Sequence, residues 1–563
     1  MTLSIRKKLI GVQDDSQSQR YQVLLRALGR LFPVEFRQAL SQDQQALDGL
    51  LVLDGDVAAG LAAAAKGVPS FVVTGEDQAA HLGAESEVRF GGSPYLDEYL
   101  RNQVMLDGDV GQLRPLSLQA GDEVLASKEG QPVWLCRPGG RAVCHWVGIS
   151  PPPLQEGDFI FQHLSGRRFM ELLPLLNFLR QVVKDVDWCS PAPRACFVFD
   201  DPSLYWRSYG FLDYRCLAAN AAEHNYFVSV ATVPLDTWWV NRAVANTFRS
   251  NSPRLSLLIH GNNHTSHELL APHNGANPLA LPAQAMRRME RLTCKHQLAF
   301  ARIMEAPHGV VADSMFQDLL TLGYEAALCT TEWLVRYNPR TAWPATIGMD
   351  KTQFLGGLPV LPRIRMSPHW KNDVLLAAFL RQPILVVGHH WDAVGQLAAM
   401  ADIAKVINSL KGVRWSPPAE IARSNYKELR RGDSLDLKVY SRRVRFSVPY
   451  GVKNIFVHRP WLQSDGPEEM LIVKGSDRQL FHAPGPAVVG PIQARDRDLL
   501  EIFSPQANPV APRTVEAPKP RCWPVLRKGL MEVRDRSAPW RYRTGRLLLR
   551  AIDGVDASRD GCG

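Results

Sequence analysis

The sequence predicts an α/β protein whose middle third forms a parallel sheet or barrel, and three observations carry this reading. Short apolar runs recur at 196–199, 226–230, 255–259, 326–329 and 384–387, with helical patterns such as 285–303 and 314–322 between several of them. Strands that alternate with helices specify a parallel sheet, because parallel neighbours need a crossover of helix length. The runs read as buried strands bounded by turn and loop residues. Polar clusters then stand where those strands end: Asp200-Asp201, Thr237-Trp238-Trp239, His260 through His264, and His389-His390-Trp391-Asp392. Ligands of such folds sit at the carboxyl ends of the strands, so these clusters are the candidate site.

Four units are expected in order. Residues 1–190 read as a Rossmann-like, non-catalytic α/β domain: a helical pattern at 21–32, apolar runs at 50–53 and 71–73 around an alanine-rich helix, then short strands near 124–126 and 133–135. This unit carries neither a G-x-G-x-x-G turn nor a Walker loop, so nucleotide binding is unsupported. An amphipathic helix at 168–183 leads out of it into the barrel, 191–426. From 427 to 504, Leu435, Leu437 and Val439 alternate with polar residues, as do Val444, Phe446 and Val448, which is the pattern of a small antiparallel β-sandwich. Residues 505–563 are a basic Pro/Arg-rich tail, expected to be extended or disordered except for a helix-forming segment at 540–552.

At 563 residues the chain exceeds what one hydrophobic core supports, and 45% apolar and 21% charged residues are ordinary globular values. The net charge of +9 is concentrated: eleven Lys/Arg against three Asp/Glu lie between Arg513 and Arg550. A basic tail on a balanced body does not indicate a nucleic-acid partner, but it suits an anionic membrane surface or an anionic glycan. Nine cysteines without a C-x-x-C pair read as reduced thiols. With no export segment evident between Met1 and Arg20, the expected location is cytoplasmic, peripheral to a membrane where the tail engages one. Nothing in the residues sets an oligomeric state.

The chemistry centres on Asp200 and Asp201. Two adjacent carboxylates at a strand mouth repel each other, so folding gains nothing from them unless a cation or a reacting group is present. The competing reading is a solvated Asp-Pro turn at Asp201-Pro202. His260 and His264, spaced i, i+4 after a buried strand, favour a cation: two imidazoles and the Asp201 carboxylate make an open three-ligand site for a divalent metal. Zinc is the expected ion, with cobalt, nickel or manganese as alternatives, and such a centre is hydrolytic. His267 and His273 lie nearby in sequence as outer partners. Trp238, Trp239 and Tyr205 could stack on a sugar ring or simply belong to the core.

Phe199-Asp200-Asp201, the H-x-x-x-H pair, Ala306-Pro307-His308-Gly309 followed by Leu319 through Tyr324, and a final strand ending in histidine together resemble the ordered motifs of NodB-type polysaccharide deacetylases, the carbohydrate esterases of family four. The resemblance spans 194–425 and implies a deformed (β/α) barrel. It also implies Asp200 as general base, Asp201, His260 and His264 as metal ligands, His389 or its neighbour His390 as general acid, and His308 beside the substrate. Three departures accompany it: Pro202 stands where a glycine is usual, Glu305 where an arginine orients the base, and His308 where an aromatic residue precedes the glycine. The usual Asp-Trp motif is matched at best by Glu332-Trp333, and Arg207, Arg363 or Arg365 could supply the missing cation. The expected activity is removal of N-acetyl or O-acetyl groups from an amino-sugar polysaccharide or glycan precursor. The alternatives are a non-catalytic carbohydrate-binding protein on the same barrel and a hydrolase of a small non-sugar amide.

Overall fold

The structure is a computed structural model that describes residues 7–557 apart from 14–18, 40–46, 54–55, 75–85, 109–112, 266, 271–276, 396, 463–466 and 485–487. His273 therefore lies outside the described residues.

The first nine strands form one mixed sheet. Val34–Gln38, Lys8–Val12, Gly49–Val52, Ser70–Val73 and Val143–Val147 run parallel, and Gln131–Pro138, Glu123–Lys128, Ser86–Phe90 and Val104–Asp107 continue the sheet antiparallel. Alternation explains why Gly49–Val52 is buried on both faces: Leu50 and Val52 pack with Ala63 and Ala64 of the helix Val57–Ala65, whereas Leu51 belongs to the main core with Phe71, whose ring lies 5.6 Å from that of Phe178. The hairpin signals and the βαβ pattern thus belong to one sheet.

The second sheet carries the polar clusters. Arg194–Asp200, Val228–Thr232, Leu255–His260, Phe300–Glu305, Ala326–Cys329 and Leu358–Pro362 are successive parallel neighbours, and Ile384–Gly388 flanks Arg194–Asp200 on the other side. Ile364–Arg365 adds to Ile384–Gly388 at the far end of the sheet. One residue, Arg363, therefore joins strands at nearly opposite ends of the order, and two Cα steps of about 3.8 Å each require those ends to curl together. No ladder closes the gap among the described residues, so the sheet is a curled, open barrel seamed at Arg363. Its inner side is lined by Cys196, Val198, Leu258, Ile303, Leu328, Leu361, Leu385 and Val387.

Two expectations need correction. The helical pattern at 285–303 is a helix, Ala280–His296, followed by the strand Phe300–Glu305. Gln297, at φ 55°, ends the helix in a left-handed turn, and the apolar residues beyond it happened to keep helical spacing. The tail is not extended from 505 onward: Cys522–Ala557 is one helix. Its inward face carries Lys528 and Asp535, each nearly excluded from solvent, so the buried side is charged and apolar periodicity could not reveal it.

Before that helix, two four-stranded sheets enclose a separate core in which Leu435, Leu437 and Val439 meet Val444, Phe446 and Ile502. Nearer the first sheet, Asn372 and Asp373 of the helix Trp370–Phe379 hold the segment around Gly166, whose N–H donates to Asp373 Oδ1 at 2.8 Å. Burial pushes the Asp373 carboxyl up to about 6 despite that bond. A carboxyl raised in the folded state contributes stability while protonated and loses it as pH rises through its folded pKa. Asp373→Asn is accordingly expected to be more stable than the parent at pH 7.5 by about 1–3 kcal/mol, with the gap closing toward pH 4, as denaturant midpoints at the two pH values will show.

Candidate active site

The strand Arg194–Asp200 stays extended through Asp200, and Asp201 then turns to φ 78°, a left-handed conformation rare outside glycine but best tolerated by Asn and Asp. The turn sets the two carboxylates apart. Asp201 Oδ1 lies 3.1 Å from His260 Nε2 and 2.8 Å from His264 Nε2, and the three donor atoms fall within 4.8 Å of one another. His260 ends its strand, and His264 is reached through a tight loop in which Gly261 and His264 both have positive φ, so the pair does not sit on a helix turn.

One side chain shapes that loop. Glu268, 1% exposed, accepts the backbone N–H groups of Asn262 at 2.7 Å and His264 at 3.0 Å, and both of its oxygens lie near the N–H of Asn263. Arg288 braces the same loop through Asn262 Oδ1 at 2.7 Å and Asn263 Oδ1 at 2.8 Å. The spacing His260, His264, Glu268 continues the i, i+4 series by one step, which is the sequence signal that could have identified Glu268.

The donor set fits a divalent cation. His260 Nδ1 lies 3.1 Å from the Glu305 carbonyl; as donor to that oxygen it leaves the Nε2 lone pair toward Asp201. Burial would raise the Asp201 carboxyl, but the two imidazoles beside it hold it well below the usual range. Burial likewise opposes charge on His264, yet Asp201 outweighs it and raises the imidazole. Arg527 of the C-terminal helix donates to the His264 carbonyl and also lies 3.2 Å from its Nδ1. A guanidinium only donates, so ligation through Nε2, which places the proton on Nδ1, requires Arg527 to keep the carbonyl and leave the ring.

Asp200 points into a different set of contacts. Arg363 Nη1 lies 3.4 Å from Asp200 Oδ2 and is ion-paired with Glu305, all three side chains being less than 8% exposed. Arg363 Nε also donates to Thr330 Oγ1 at 3.1 Å. Of the three arginines named from the sequence, Arg363 is the one that lies beside Asp200, at the seam of the barrel, whereas Arg207 and Arg365 are exposed.

The two histidines after Ile384–Gly388 separate. Gly388 pairs with Phe199, and Leu385 and Val387 share the inner face with Val198, so His389 continues that parity beside Asp200 and is exposed at the mouth. Asp392 accepts the His389 backbone N–H at 2.7 Å. His390 is buried on the other side, 6.0 Å from the Phe211 ring at 20°, with Nε2 3.6 Å from Asp535 Oδ1. Gly210, at φ 54°, lies against this ring so closely that a Cβ there would overlap Nδ1.

Tyr205, Trp238 and Trp239 group with ring separations of 5.6 and 6.0 Å, and Trp238 is 68% exposed. His308 lies at the surface with its ring 4.9 Å from that of His264, and partial desolvation of the imidazole on that side, with the neighbouring His264, lowers its pKa to about 4. His267 lies beyond it, its ring 6.4 Å from that of His308. Trp333, in the Glu332-Trp333 pair, stacks on Tyr337 rather than on a histidine.

The C-terminal helix crosses this mouth. Besides Arg527, Lys528 Nζ pairs with the buried Asp236 Oδ2 at 2.8 Å, and Tyr209 Oη donates to Asp535 Oδ2 at 2.6 Å. It thereby touches the loops that follow four strands of the barrel. These contacts escaped the sequence reading because partners about 300 residues apart leave no local pattern.

No family model matches the chain, and no curated protein matches it. Solved structures that do match include a polysaccharide deacetylase from Mycobacterium smegmatis, at 13% identity and a TM-score of 0.30 over 42% of this chain and 93% of that one. A family 4 carbohydrate esterase from Streptomyces lividans, in complex with acetate, matches at 13% identity and a TM-score of 0.25 over 41% of this chain and 93% of that one. A family 4 pseudoenzyme from Bacillus anthracis matches at 11% identity and a TM-score of 0.23, over 41% and 69% of the two chains. Each of the three matches less than half of this chain.

Proposed function

We propose that the barrel is a divalent-metal-dependent hydrolase that removes acetyl groups from an amino-sugar polymer or glycan precursor. The observation that carries this is the convergence of Asp201, His260 and His264 beside a second carboxylate, Asp200, held separately by Arg363. A bound cation would supply Lewis acidity and a water acidified toward neutral pH. Asp201, His260 and His264 would hold it. Asp200 accepts the proton of the attacking water, and Arg363 orients that carboxylate. His389, on the inner side at the adjacent strand end, protonates the leaving nitrogen or oxygen. Trp238 and Trp239 offer flat apolar faces to the sugar rings flanking the acetylated one.

A second reading rests on the helix across the mouth: a carbohydrate-binding protein that keeps the metal centre without turnover. Acetate release from chitooligosaccharides and acetylated bacterial glycans, before and after chelation and re-addition of zinc or cobalt, separates the two. The hydrolase reading requires metal-dependent release that disappears in Asp200→Ala and His389→Ala. Bound metal with no release across the panel establishes the binding protein instead. For the hydrolase, Trp238→Ala is expected to raise KM for an oligosaccharide about threefold to tenfold with kcat little changed, in steady-state assays.

A further inference from the structure

We propose that the C-terminal helix docks on an anionic lipid surface through its outward face. At 100° per residue, Trp523, Leu526, Leu530, Val533 and Trp540 fall within about 100° of arc. All five are 58–70% exposed. Such a stripe on a helix is an interface that the folded chain does not use.

Charge identifies what covers it. Arg541 borders the stripe on one side, beside Arg534, which pairs with Asp535 at 2.6 Å, and Arg536 and Arg543 border it on the other, all four exposed. The acidic residues of the segment, Glu532 and Asp535, turn inward: Asp535 is buried against Tyr209 and His390, and burial raises the Glu532 carboxyl. The outward face is therefore apolar in the middle, cationic at both borders and free of carboxylates among the described side chains. That is the profile of a helix lying in the plane of a bilayer, with apolar side chains among the acyl chains and guanidinium groups among anionic headgroups. An anionic glycan would meet the arginines but leave the stripe in water. A second copy of this helix would bury the stripe while bringing like charges together.

The inward face, carrying Lys528 and Asp535, lies opposite the stripe. Docking consequently needs no rearrangement of the mouth, and it sets the barrel with its mouth toward the lipid. This inference stands whether or not the barrel is a hydrolase.

The test is co-sedimentation of the full chain with phosphatidylglycerol–phosphatidylcholine vesicles and with pure phosphatidylcholine vesicles. Binding is expected to the anionic vesicles only, and raising the salt should weaken it. Arg541→Gln with Arg543→Gln should reduce the partition coefficient about fivefold per arginine. Leu530→Glu with Val533→Glu should abolish binding; both positions are exposed, so the melting temperature is expected to stay unchanged and serves as the control for folding. Absence of binding to anionic vesicles, equal binding to both kinds, or binding unaltered in the Leu530/Val533 variant overturns the proposal. So does concentration-dependent self-association that the same variant abolishes, because a second copy would then own the stripe.

Discussion

Arg363→Met is expected to destabilise the fold by about 3–5 kcal/mol, measured by denaturant unfolding at neutral pH. The guanidinium is 7% exposed and faces Asp200 and Glu305, which are 5% and 0% exposed, so its loss leaves two carboxylates in low dielectric without a cation. Burial already draws the Arg363 pKa down, but the Asp200 carboxylate keeps it charged. In the variant the carboxyls would bind protons more tightly folded than unfolded, so its stability should fall more steeply than the parent's as pH rises from 4 toward 7. Adding Glu305→Gln removes one of the stranded charges and should recover part of the loss. A double variant no better than Arg363→Met would show that the cluster is not coupled electrostatically.

Asp201→Asn is expected to empty the metal centre while leaving the fold intact. Asparagine has the same shape and tolerates the φ of 78° that the turn imposes, so strain gives no reason to unfold. It removes the one anionic donor of the set, and two imidazoles alone do not hold a divalent ion against solvent. Elemental analysis should give metal in the parent and none in the variant, and metal-dependent acetate release should drop by roughly a thousandfold or more. Metal retained at parental stoichiometry would place the ion elsewhere.

The cluster of Asp201, His260 and His264 and five of the barrel strands were readable because their signals are local. An apolar run that ends in Asp200-Asp201, or in His260, is visible in a window of ten residues. The strand Phe300–Glu305 was hidden because the turn before it is made by Gln297, a residue with no turn signature. Arg363 could be named only among three candidates, since its claim depends on the sheet curling until strands at opposite ends of the order meet. The helix across the mouth was the largest omission. Its large apolar residues face outward while Lys528 and Asp535 are buried, the reverse of the pattern from which packing is ordinarily inferred.

That helix also sets a timetable. His390, just past the barrel strand Ile384–Gly388, and its partner Asp535 are 145 positions apart, so at about 5–20 residues per second a nascent chain carries the open barrel for roughly 7–30 seconds before the closing segment is made. Asp236 waits through almost all of that interval without Lys528, and the histidine loop without Arg527. During synthesis the centre is open to solvent and to metal while its clamp does not yet exist. Ligation through His264 Nε2 would then meet no competition from Arg527 for the ring, so metal supplied during translation is expected to load more readily than metal added to the finished protein.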